Sequence, residues 1–151
     1  MKRDSLTVLI GQGLGLIRLG MCPNEVMERF PEEQGYEEWM GGNLNDSLLF
    51  HGLIFQFDRC NSKSPLPKSK LNRIVIHQRV DVVLFERPMT AWTRGELEKE
   101  LSLRGYNSEE GAGGDLIVPE GMECSFDEDD RFVWAEIMKP EPETSANPES
   151  S

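Results

Sequence analysis

The sequence predicts an α+β fold: two tandem repeats, each a helix followed by antiparallel strands, forming one sheet with helices packed on one face. Three observations carry this expectation. First, DSLLFHGLIFQFD (46–58) aligns without gaps on DLIVPEGMECSFD (115–127), with Asp46/Asp115, Gly52/Gly121, Phe57/Phe126 and Asp58/Asp127 identical. Second, the matches continue in order on either side: EVMERF (25–30) answers ELEKEL (96–101), and LNRIVI (71–76) answers FVWAEI (132–137). Third, hydrophobic spacing passes within each copy from a helical stripe to strict alternation, the change expected where a helix hands over to strands. Repeat 1 then covers about 14–78 and repeat 2 about 79–138, with both in a single domain over 1–138.

The chain begins with an apolar run, SLTVLI, followed by GQGLGLIRLG (11–20). A glycine-rich turn after a strand invites a nucleotide-binding reading. A dinucleotide fingerprint starting at Gly11 needs glycine where Leu16 stands, and one starting at Gly13 needs it at Arg18. No Gly-Lys-Ser/Thr follows, and the next helix starts too late to aim its N-terminus at a phosphate. The glycines are read as an irregular entry into the first repeat, and no cofactor is expected.

Pro23 suits the first position of a helix whose apolar stripe is Val26, Met27 and Phe30, and Pro31 ends it. GLIFQFD then alternates, with Leu53, Phe55 and Phe57 inward, and a long loop, RCNSKSPLPKSK, returns to the strand LNRIVI. In the second copy Pro88-Met89 lead to a helix capped by Thr90 or Thr93, where Glu96 completes a capping box with Thr93. Leu97, Leu101 and Leu103 supply its buried side and Gly105 stops it. GMECSFD places Met122, Cys124 and Phe126 on one face, and DEDDR turns tightly into the last strand. Residues 139–151, acidic and proline-containing without large apolar side chains, are expected to be disordered.

Composition narrows the function. The formal net charge is −11 and the pI about 4.6, which disfavours nucleic acid and anionic membranes and favours a basic protein partner. No apolar run reaches bilayer-spanning length. The N-terminus imitates a secretory signal, but Asp4, Arg18 and interrupting glycines break it, and Met21 occupies a position that wants a small residue. A cytoplasmic location follows. Three cysteines without close spacing make neither a disulfide framework nor a zinc site. Asp127, Glu128, Asp129 and Asp130 lack the glycine and distal glutamate of a calcium loop and read as an acidic turn. Two histidines, His51 and His77, have no nucleophile placed near them, so no catalytic residue is assigned.

Leu19-Gly20-Met21, the helix start at Pro23-Asn24-Glu25-Val26, and then Gly52-Leu53 through Phe57-Asp58 together carry a family resemblance. This arrangement resembles the tandem-repeat fold of the β-lactamase inhibitory proteins and of related bacterial immunity-type proteins. The resemblance implies a sheet that presents one face to a partner protein. Cys22 stands where that pattern has Ser or Thr, and the paired cysteines of the secreted inhibitors are missing.

Charge and face assignment locate the expected contact. From Gly105 to Asp130 there are nine acids and no Lys or Arg, whereas Arg59 to Val80 holds six bases and no acid. If Val133, Ala135 and Ile137 lie inward with Met122, Cys124 and Phe126, then Phe132, Trp134 and Glu136 share the outer face with Glu123 and Ser125. The same logic exposes Ile54, Gln56, Arg73, Val75 and His77 in copy one. A competing reading puts Trp134 in the core. The loop GYEEWMGG, with Tyr36, Glu37, Glu38 and Trp39, is a second candidate contact surface. The resulting expectation is a non-enzymatic, protein-binding inhibitor, an immunity protein occluding a basic toxin or enzyme. The alternatives are an assembly module binding through the basic 59–79 segment, and a small-ligand or enzymatic site between the repeats.

Overall fold

Alternating inward and outward side chains, rather than helical periodicity, shape the longer elements among the described residues. The computed structural model describes residues 6–29, 47–50, 52–57, 70–77, 81–111 and 113–140. In order these form β1 (Leu6–Leu9), β2 (Gly13–Leu14), β3 (Ile17–Arg18), α1 (Pro23–Arg29), β4 (Ser47–Phe50), β5 (Leu53–Phe57), β6 (Leu71–His77), β7 (Val82–Leu84) and β8 (Arg87–Pro88). After a 3-10 turn at Met89–Ala91 come α2 (Arg94–Leu103), β9 (Glu109–Glu110), β10 (Leu116–Val118), β11 (Met122–Phe126) and β12 (Phe132–Met138).

The expected α+β architecture does not hold. The described residues are mostly β, in a seven-stranded sheet ordered β4-β5-β6-β12-β11-β10-β9 and a five-stranded sheet ordered β3-β2-β1-β7-β8, with only two α-helices. Among the described residues there is no single sheet with a helical layer on one face. The second sheet was hidden because its strands are two to four residues long, too short for periodicity to register. Its centre is a parallel pair, Leu6 opposite Val82 and Thr7 opposite Val83, formed between segments far apart in sequence.

What recurs is a three-stranded antiparallel meander. In β5–β6, Leu53 faces Ile76 and Phe55 faces Ile74; in β11–β12, Met122 faces Ile137 and Cys124 faces Ala135. Each pair of strands shifts register at the same place, between Gln56 and Phe57 and between Ser125 and Phe126. The meanders meet at the antiparallel β6–β12 seam, where Val75 faces Glu136. The preceding hairpins differ: Phe50 pairs Leu53 across two residues, whereas Val118 pairs Met122 across three. The gapless alignment is therefore one residue out of step in β4 against β10.

One buried cluster draws on both sheets and both helices. Phe55, Leu71, Ile74, Ile76, Ala135 and Ile137 come from the large sheet, Leu14, Ile17, Val82 and Leu84 from the small one, Val26 from α1, and Leu97 and Leu101 from α2. Burying one of these Val, Leu, Ile or Phe side chains contributes about 1.5–3 kcal/mol. On α2, Thr93 accepts from the Glu96 N–H while Glu96 accepts from the Thr93 N–H, so the capping box satisfies two otherwise orphaned donors. Leu103, expected in the core, is 73 % exposed, because it falls on the solvent stripe with Glu96 and Glu100. Phe30 and Pro31 lie outside the described residues.

The entry glycines lock the two sheets together. The Gly11 N–H donates to the Gly121 carbonyl at 3.2 Å, and Met138 N–H donates to the same oxygen. A Cβ on Gly121, at φ +130, would stand 2.3 Å from Gly11 Cα and 2.4 Å from the Met138 carbonyl oxygen. In the same sheet, the β7–β8 turn places Phe85 and Glu86 at φ 52 and 66, a conformation usually left to Gly or Asn. Packing offsets that strain. The Phe85 ring meets Trp92 edge-on and Tyr106 obliquely, and the Arg104 guanidinium sits 4.3 Å above it. Trp92 is tied down by its indole N–H, which donates to the Leu84 carbonyl at 3.1 Å.

Candidate protein-binding face

Residues between the inward side chains of β5, β6, β12, β11 and β10 point to the other side of the large sheet. Register sets them in rows. Ile54, Val75, Glu136, Glu123 and Ile117 form a central row across five adjacent strands. Gln56, Arg73 and Met138 form a second row to one side. His77, Trp134 and Ser125 form a third to the other.

Of the sequence-predicted contact residues, Gln56, Glu123, Ser125, Trp134 and Glu136 therefore share one face, and all are half-buried. Phe132 does not join them. It is 5 % exposed and packs edge-on against Phe126, because the register shift after Ser125 returns it to the side of Ala135 and Ile137. A strict period of two cannot anticipate that step. Val133, expected inward, is half-buried. Ile54 is only 9 % exposed although it stands in the central row. Tyr36, Glu37, Glu38 and Trp39 lie outside the described residues, as do His51 and, of the basic 59–79 segment, residues 59–69 and 78–79.

The face is electrostatically unbalanced. Glu123 and Glu136 stand directly opposite one another, an unfavourable arrangement for like charges. Arg73 pairs with Glu136 at 3.3 Å, leaving Glu123 beside Asp115. Partial burial, then the Glu136 and Asp115 carboxylates, raise the Glu123 carboxyl above its ordinary range, with Arg73 opposing. Asp115 was missed as a member of this group, although its identity with Asp46 singled it out in the repeat.

On this face the described residues do not bring a nucleophile and a base together. Trp134 stands between Ser125 and His77 in their row, which keeps the hydroxyl and imidazole two strands apart. Burial pushes the Cys124 thiol far up, so it is held as an inert protonated group. Among the described residues no three His, Cys, Asp or Glu side chains are grouped to hold a metal ion, and no helix is long and apolar enough to cross a membrane. Asp127 serves its turn, its carboxylate accepting from the Asp129 and Arg131 N–H groups at 2.8 and 3.0 Å. No family model, curated protein or solved structure matches this chain.

Proposed function

We propose that this protein is a non-enzymatic inhibitor of the immunity type, which occludes a basic toxin or enzyme with the outer face of its seven-stranded sheet. The carrying observation is the cross-strand Glu123–Glu136 pair, half-buried, short of counter-charge and adjoined by Trp134. Such a pair is costly in the free protein and is relieved when a cation docks on it. An aromatic ring beside it supplies the apolar contact that interface hot spots favour. From the resemblance to the β-lactamase inhibitory proteins, only the use of a sheet face toward a partner is carried over.

The test is co-expression with the products of the adjacent genes, followed by co-purification. A stable complex that Glu123→Lys and Glu136→Lys each weaken by at least about tenfold is expected, since unpairing one desolvated interfacial charge costs about 2–5 kcal/mol. Absence of a complex with either neighbouring product would overturn the immunity reading.

A further inference from the structure

Granted the protein-binding reading above, we infer that the outer face receives one helix of its basic partner, laid across the strands, with an apolar side chain at i and Lys or Arg at i+7. The argument starts from the two meanders. They are equivalent in register, yet their outer positions carry opposite chemistry: Ile54 corresponds to Glu123 and Val75 to Glu136. The central row is thus apolar on one side of the β6–β12 seam and acidic on the other. Its apolar half presents Val75, half-buried, with the more buried Ile54 beside it on the next strand; its acidic half presents Glu123 with Asp115 beside it, while Arg73 occupies Glu136.

A partner must match the distance between those halves. Val75 and Glu123 are two strands apart, which is about 10 Å at the usual strand spacing. Residues i and i+7 of a helix lie on one face and are separated by about 10.5 Å along its axis. An extended strand laid the same way offers same-face side chains about 7 or 14 Å apart and misses. The flanking rows complete the seat. Trp134 and His77 line one side of the Val75–Glu136 step, and Arg73 and Met138 line the other. Charge complementarity selects the occupant: Glu123 and Asp115, hydrogen-bonded to each other, and Glu136 share the single guanidinium of Arg73, so this acidic end asks for Lys or Arg.

The probe is a pair of alanine-rich helical peptides of equal composition, one with Leu at i and Arg at i+7, the other with Arg moved to i+5. Each is titrated into the full chain while backbone amide shifts are followed. The i+7 peptide is expected to shift β5, β6, β11 and β12 amides and to bind at least about tenfold more tightly than the i+5 peptide, with Glu123→Gln erasing the difference. Equal binding of both peptides at this face would overturn the helical register and leave the protein-binding reading standing. Binding of neither would overturn the helix as occupant, with the co-purification above deciding the wider reading independently.

Discussion

Substituting Gly121 by Ala should unlock the two sheets. Its Cβ would meet backbone on every side: Gly11 Cα at 2.3 Å, the Met138 oxygen at 2.4 Å and Gly11 N at 2.8 Å. None of these is the free end of a side chain that can swing away. The backbone at φ +130 adds strain of about 1–3 kcal/mol. Overlap in a packed region adds about another 1–3 kcal/mol. A total loss of about 2–6 kcal/mol is a large part of the 5–15 kcal/mol that typically holds a domain folded. Gly105→Ala is the control. Gly105 has φ +87 but nothing within 4 Å of an added Cβ, so it carries the conformational cost without the collision. Urea unfolding of both variants and the parent, followed by tryptophan fluorescence, measures the difference. Gly121→Ala should be the less stable by at least about 1 kcal/mol, the low end of the overlap cost. If the two lose equal stability at unchanged m-value, the Gly11–Gly121 contact does not tie the sheets together.

Three further outcomes are expected. The folded protein holds the Glu123 proton to higher pH than the unfolded chain does, so this group's contribution to stability falls as pH rises from its ordinary value of 4.5 through the raised one. Glu123→Gln should flatten that slope and be the more stable at pH 7 by a few tenths to about 1 kcal/mol, the scale of a like-charge cross-strand pair; a less stable variant with the same slope would contradict this. Trp134→Ala should keep a cooperative melting transition while weakening partner binding, whereas Phe132→Ala should cost about 3–5 kcal/mol as a core deletion. Loss of cooperative melting in Trp134→Ala would return that ring to the core. Thr93→Ala removes a working N-cap and should cost about 1 kcal/mol in chemical denaturation, with no effect on binding at the sheet face.

Local chemistry was legible where it acts over a few residues. Thr93 and Glu96 announce their capping box, Pro23 its helix start, and Leu53, Phe55 and Phe57 their shared inward face. The outer face of the large sheet was legible in part for the same reason: alternation placed Glu123, Ser125, Trp134 and Glu136 together. It misplaced Phe132 because one irregular step in β12 reverses every assignment before it. Leu103 was misplaced against the helical spacing itself, since a residue two after Leu101 lies on roughly the opposite side of a helix from the Leu97–Leu101 stripe.

The recurrence of the strand pairs along the chain and the acidic character follow from residue identity and short-range spacing, and the sequence states them. The two-sheet architecture does not follow, because Leu6 and Val82 pair across a separation that no window of local pattern covers. Nor does the placement of Asp115 beside Glu123, which depends on how β10 meets β11. The entry stretch GQGLGLIRLG shows the division most plainly. Its glycines fail the spacing of a phosphate loop on sequence grounds alone. Folding gives them their role, since Gly11 reaches Gly121 only once both sheets are in place and backbone must pass where a side chain cannot.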